Sequence, residues 1–187
     1  MRNAEHGYFI VAVPFGSMKA DDLAALAGLS RRYADGTIRV TPWKSLVLPG
    51  VSPSDAAAVG EAVSDFGLIA SPDDPRSRIV ACAGRPSCTG AHAETRADAA
   101  FFAAAGLPAT GLVHVSGCSK GCALPGPAAA TLVATTDGYD LVNNGRAGDP
   151  PDLTGLPRAA AARILASAKA LPVPDPTEPA SGCGTIR

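Results

Sequence analysis

The chain has 187 residues, 47% of them hydrophobic and 18% charged, so it can bury a core and is globular rather than disordered. A formal net charge of -1, with no basic run interleaved with aromatics, gives no electrostatic reason to expect nucleic acid or an anionic membrane as partner. No apolar segment is long enough to span a bilayer, because the best candidate, 99–115, is interrupted by Gly106, Pro108 and Gly111.

The stretch "GYFIVAVP", residues 7–14, is aromatic and β-branched and predicts a strand. It does not read as a secretory leader, since Glu5 offsets Arg2 and no small-x-small cleavage site follows; the protein is expected in the cytoplasm. In "MKADDLAALAGLSRRYADG", Leu23, Leu26, Ala27 and Tyr33 recur at helical spacing. Acids lie early, Arg31 and Arg32 lie late, and Gly36 ends the helix. "TIRVTPW" and "SLVLPG" predict two short strands joined around Pro42–Lys44. "SPSDAAAVGEAVSDFG" predicts a second helix, with Ser52 or Ser54 as its N-cap and Gly67 as its stop. The order β-α-β-β-α over residues 7–67 reads as a small α+β sandwich, ferredoxin-like in topology.

A turn-rich joint, "SPDDPRS" at 71–77, follows. "RIVACAG" predicts a strand that delivers Cys82, and "CTGAHAETRADAAFFAAAG" a helix that starts close to Cys88. "TGLVHVSG" predicts a strand that delivers Cys118. "AAATLVATTDGYDLVNNG" reads as a hairpin with Asp137–Gly138 at its turn, and "PRAAAARILASAKAL" as a closing helix. The expected organisation is a ferredoxin-like module over 1–70, a cysteine-bearing α/β module over 77–171, and a proline-rich flexible tail over 172–187. No internal repeat is visible.

Four of the five cysteines form two pairs, Cys82 with Cys88 and Cys118 with Cys122; the fifth, Cys183, lies in the tail, where no ligand role is expected. An odd count suits a reducing compartment better than a disulfide framework. Structural zinc sites usually space their ligands two to four residues apart in both pairs, and the five residues between Cys82 and Cys88 fit that poorly. A catalytic cysteine needs one activated thiol and a base rather than four paired thiols. Glycines and a proline fill both loops: Gly84 and Pro86 in the first, Gly117, Gly121 and Gly126 in and around the second. Glycine lets backbone N–H groups approach thiolate or sulfide closely, and an iron–sulfur cluster accounts for the count, the pairing and the glycines together.

The pattern C-x5-C followed by C-x3-C resembles the cluster motif of the nitrite and sulfite reductase superfamily, and "GTIRVTPWKSLVLPGV" resembles its strand pair beside the tetrapyrrole. Within that superfamily, "HVSGCSKGCALPGPAAATLVATTDGYDLVNNGRAGDPP" and "TPWKSLVLPG" are most similar to the precorrin-3B synthases. The resemblance implies a 4Fe–4S cluster on Cys82, Cys88, Cys118 and Cys122, the last being the position that bridges to sirohaem iron in the reductases. It also implies an oxygen-dependent monooxygenase of aerobic cobalamin biosynthesis, hydroxylating precorrin-3A and closing a lactone, with an electron donor protein as partner. A sirohaem-dependent reductase half, or a non-catalytic iron–sulfur electron carrier, is the alternative. Family members hold the tetrapyrrole between two pseudo-symmetric halves, each with a ferredoxin-like and a larger module. This sequence matches one set, the cluster-bearing C-terminal one, so pairing with a second copy or with a separately encoded N-terminal half is expected.

Arg39, Thr41, Lys44 and Lys120 are candidate contacts for precorrin carboxylates, which a guanidinium fork and ammonium groups would clamp; the plain alternative is solvated charge. Trp43 could stack on a macrocycle, although a lone tryptophan reads first as core. His114 reads as a satisfied strand histidine, and His92 is ambiguous between site and surface. Asn143 and Asn144 are expected to make a turn before Gly145. No catalytic residue is assignable from the sequence.

Overall fold

The computed structural model describes residues 7–107 and 111–167. The chain divides into two compact units between Ala81 and Cys82.

The first unit contains β1 (Gly7–Ala12), α1 (Ala20–Tyr33), β2 (Arg39–Val40), β3 (Ser45–Val51) and α2 (Ala56–Asp65), in the expected order. Its sheet runs β1-β3-β2, with β3 antiparallel to both neighbours. β1 and β2 are therefore parallel and flank β3, which is the split β-α-β arrangement of ferredoxin-like folds. Strand alternation sets the core. Val11, Leu46 and Leu48 meet Leu26 and Leu29 of α1 and Val59 and Val63 of α2. The register puts Ile10 and Arg39 both opposite Val47, on the other face, where Tyr8 is 70% and Ile10 53% exposed.

α1 carries Asp21 and Asp22 in its first turn and Arg31 and Arg32 in its last, matching the helix dipole. The N-cap of α2 is Asp55, not Ser52 or Ser54. The Ser52 hydroxyl accepts the Asp55 N–H at 3.2 Å and donates to its carboxylate at 2.7 Å, building the turn that precedes the helix. The joint at 71–77 is tied back to the first unit. Arg76 donates to the Gly67 carbonyl at 2.8 Å and pairs with Asp74 at 2.6 Å, and this hydrogen bond holds the Asp74 carboxyl below its ordinary range.

The second sheet runs β4 (Ile79–Ala81), β5 (Val113–Ser116), β6 (Ala128–Thr135), β7 (Gly138–Gly145) and β8 (Leu153–Leu156) in that order. β5 and β6 are parallel, while β6–β7 and β7–β8 are antiparallel. α3 (Thr95–Ala105) packs on β5 and on α4 (Arg158–Ser167), and α4 also packs on β7. The crossover from β5 to β6, residues 117–127, contains no helix and carries Cys118 and Cys122.

Several local expectations change. The helix expected near Cys88 begins only at Thr95, because the preceding turns are bonded elsewhere: His92 N–H to Gly117 O and Arg85 N–H to Ala93 O, both at 2.8 Å. The hairpin turn is Thr136–Asp137, and Gly138 already pairs with Thr135. Gly138 has φ +131 and lies against the Leu156 carbonyl of β8, with no room for a side chain. β8 itself was not expected. The closing helix runs to Ser167 among the described residues; the tail at 172–187, with Cys183, lies outside them.

Candidate functional site

Cys82 follows β4, and its N–H donates to Val115 O of β5 at 3.3 Å. The chain then turns at Gly84, whose φ is +63 and where a Cβ would collide with the hydroxyl and amide of Thr95. Cys88 N–H closes the turn onto Gly84 O at 2.8 Å. The Arg85 guanidinium fastens the far side, its Nε donating to Ala91 O at 2.7 Å.

The second loop meets the first at Gly117. Its carbonyl takes the His92 N–H at 2.8 Å, and its own N–H donates to Cys82 Sγ at 3.2 Å. A Cβ on Gly117 would stand 2.7 Å from the Ala91 Cβ and 3.4 Å from that sulfur, so the approach requires glycine. Ser116 Oγ donates to Cys118 O at 2.7 Å, and Gly121, at φ +62, turns the chain beneath Cys122. A backbone donor aimed at a sulfur is the feature expected of these glycines.

All four cysteines are free thiols; Cys82, Cys88 and Cys118 are half-buried and Cys122 is exposed. Among the described residues, no three His, Cys, Asp or Glu side chains are drawn together as ligands of a single ion. A cubane takes one thiolate per iron and does not ask four sulfurs to share one point. Four free thiols, on two loops joined by an N–H···S bond, are the donor type and number that a 4Fe–4S cluster takes.

Lys120 is exposed between Cys118 and Cys122. Arg39 lies in β2 of the first unit, and Thr41 and Lys44 lie in the connection from β2 to β3. Arg39 and Lys44 are exposed. Thr41 Oγ1 bonds Ser45 Oγ at 2.7 Å and accepts the Trp43 N–H at 3.2 Å, so its hydroxyl shapes the turn. Lys44 adopts φ +56, and its carbonyl takes the Val13 N–H at 2.9 Å. Trp43 is not core: it is 80% exposed, at the tip of the turn after Pro42.

His114 is fully buried in β5, as a strand histidine. His92 is exposed and, with Cys118 and Ser119, borders a cleft of about 370 Å³ floored by Val133, Val142 and Ala147. Asn143 and Asn144 lie within β7 rather than in a turn. Asp152 holds Asn143 there, accepting its backbone N–H at 2.7 Å and its Nδ2 at 3.1 Å.

Sequence reasoning missed a buried network beside the loops. Tyr139 donates to Asp98 Oδ2 at 2.6 Å, and Arg158 donates to Asp98 Oδ1 at 2.9 Å. Burial first, then the Asp98 bond, drives the Tyr139 phenol far above its ordinary pKa. Thr95 was missed as well; its contact with Cys82 spans 13 positions and leaves no local signal.

The family described as "Nitrite/Sulfite reductase ferredoxin-like half domain" matches residues 1–65. A precorrin-3B synthase from Sinorhizobium sp is 33% identical over 152 residues, covering 80% of this chain and 32% of that protein. The sulfite reductase [NADPH] hemoprotein beta-component of Acidithiobacillus ferrooxidans is 31% identical over 158 residues, covering 77% of this chain and 27% of its own length. The chain belongs to the nitrite/sulfite reductase superfamily. The superfamily fold recurs in the structure of the Mycobacterium tuberculosis NirA protein. The TM-score is 0.59 and the identity 23%, over 72% of this chain and 28% of that one. Against these superfamily members the chain spans about a third of the length or less.

Proposed function

We propose that the chain is the cluster-bearing half of a tetrapyrrole oxidoreductase with precorrin-3B synthase activity, hydroxylating precorrin-3A with dioxygen and closing the lactone, in the cytoplasm. The observation that carries this is the junction of the two cysteine loops, where Gly117 N–H meets Cys82 Sγ at 3.2 Å. The precorrin-3B synthase match, over 80% of the chain, supports the choice of substrate. Cys82, Cys88, Cys118 and Cys122 would hold a 4Fe–4S cluster, which supplies single electrons when bound.

The chain's own residues bind and orient. Arg39, Lys44 and Lys120 are exposed cations suited to the carboxylates of a precorrin. Thr41 holds the turn that presents the first two. Trp43 offers a large aromatic face to a planar macrocycle. The chain spans 32% of its synthase relative; the remaining walls of the substrate site would come from outside these residues, and electrons from a donor protein.

The test is anaerobic purification with iron, sulfide and visible-spectrum analysis. Iron and acid-labile sulfide in equal amounts, with only broad cluster absorption, are expected. Stoichiometric zinc without sulfide would sink the cluster. The match to a reductase hemoprotein favours a second reading, a sirohaem-dependent reductase half, which strong haem bands in the same spectrum would select.

A further inference from the structure

Thr95 is the first residue of α3 and is fully buried. Its hydroxyl donates to Cys82 O at 2.8 Å and lies 3.6 Å from Cys82 Sγ. The N-cap of α3 is Glu94, so capping makes no claim on this threonine hydroxyl. It is directed at a residue 13 positions away. Gly84 makes the approach possible, since any side chain there would strike the Thr95 hydroxyl and amide. The loop between the first two cysteines is thus shaped around the Thr95 side chain.

Resting on the cluster reading above, we propose that Thr95 is a positioning residue for Cys82 as a cluster ligand. It locks the Cys82 backbone through the carbonyl and keeps a second donor within reach of the sulfur, beside the Gly117 N–H. One hydroxyl proton faces two acceptors on the same residue. Added negative charge on the sulfur favours the bond to sulfur, and donors to thiolate stabilise the more negative, reduced state. Thr95 therefore raises the reduction potential of a cluster bound at Cys82 and slows loss of the iron there.

Thr95→Val keeps the shape and removes the hydroxyl; Thr95→Ser keeps the hydroxyl. In anaerobically purified full-length protein, Thr95→Val should shift the reduction equilibrium about tenfold toward the oxidised form, which is 59 mV for a one-electron couple. Chelator should also strip its iron several-fold faster. Thr95→Ser should track the wild type in both. Equal potentials in Thr95→Val and wild type overturn the proposal, as does a shift that Thr95→Ser shares. A wild-type chain without iron or sulfide refutes the cluster reading instead. The positioning claim then stands or falls on iodoacetamide alkylation of Cys82 in the folded protein, followed by peptide mass. Thr95→Val must react several-fold faster than Thr95→Ser, and equal rates overturn it. Should Thr95→Val fail to fold, Thr95→Ala carries the same comparisons.

Discussion

The two units bury different chemistry. The core of the first is leucine and valine, from Val11 through Leu26 and Leu48 to Val63. Among the described residues its one buried polar side chain is Ser30, whose hydroxyl donates to Thr37 O at 2.7 Å. The second unit buries Thr95, Asp98, His114, Ser116 and Thr131. Two of these hydroxyls end on the cysteine loops, Thr95 on Cys82 O and Ser116 on Cys118 O. The first unit instead exposes large side chains, with Val40 83% and Trp43 80% accessible. A scaffold with an inert interior can present its chemistry outward, whereas a unit that must hold thiols needs polar groups inside, each with a partner, because an unsatisfied one costs about 1–3 kcal/mol.

Six substitutions and a pH titration can break or sharpen this contrast. The largest effect is expected from Cys118→Ser, which should bring iron and sulfide to background and lower the melting temperature, since ligation is linked to folding. A colourless variant that melts like the wild type would show the thiols to be passengers. Leu48→Ala, in the fully buried core of the first unit, should cost about 3 kcal/mol in urea unfolding while leaving iron per folded protein unchanged. Iron falling in step would erase the distinction between the units.

Asp98→Ala should cost about 2 kcal/mol, because it strands the buried Tyr139 hydroxyl. Arg158→Ala should cost less, since that guanidinium is solvated. The same network sets an alkaline limit. Tyr139 keeps its proton in the folded chain but releases it near pH 10 once unfolded. Rising pH above that value therefore favours unfolding, by up to about 1.4 kcal/mol per unit from this group. Tyr139→Phe should flatten that limb; an unchanged alkaline slope would remove Tyr139 as its cause. The smallest expected stability effect is that of Trp43→Ala, within about 0.5 kcal/mol. It should nonetheless weaken tetrapyrrole binding, read by fluorescence titration with a soluble porphyrin, and unchanged binding would return Trp43 to plain surface.

Legibility from sequence followed the range of the forces involved. The first unit was readable because local signals agree with its fold. β-branched runs make β1 and β3, acid-to-base polarity marks α1, and Gly67, at φ +71, stops α2. The cysteine loops were readable from spacing and glycine. What failed was decided by distant partners. "LTGL" carries no strand signal and becomes β8 through pairing with β7. The stretch after Cys88 has helical composition, but its amides are claimed by Gly117 and by neighbouring turns. Trp43 misled because an exposed tryptophan is uncommon, and its turn fixes it outside. Thr95 and Asp98 gain their meaning only when Cys82, β7 and α3 come together.

The parallel pairing of β5 with β6 bears on how this region can be altered. Neighbouring parallel strands cannot be joined by a hairpin; the chain must travel back along the whole strand, usually through a helix. Here residues 117–127 make that journey and hold two thiols on the way. At about 3.3 Å per residue these residues reach well beyond the roughly 13 Å of the four-residue β5, so the crossover has slack for its turns. The segment between Ser116 and Ala128 is therefore a cassette whose lettering is open outside Gly117 and Gly121. Its two cysteines and the charge at Lys120 can be exchanged for other chemistry on an unchanged sheet.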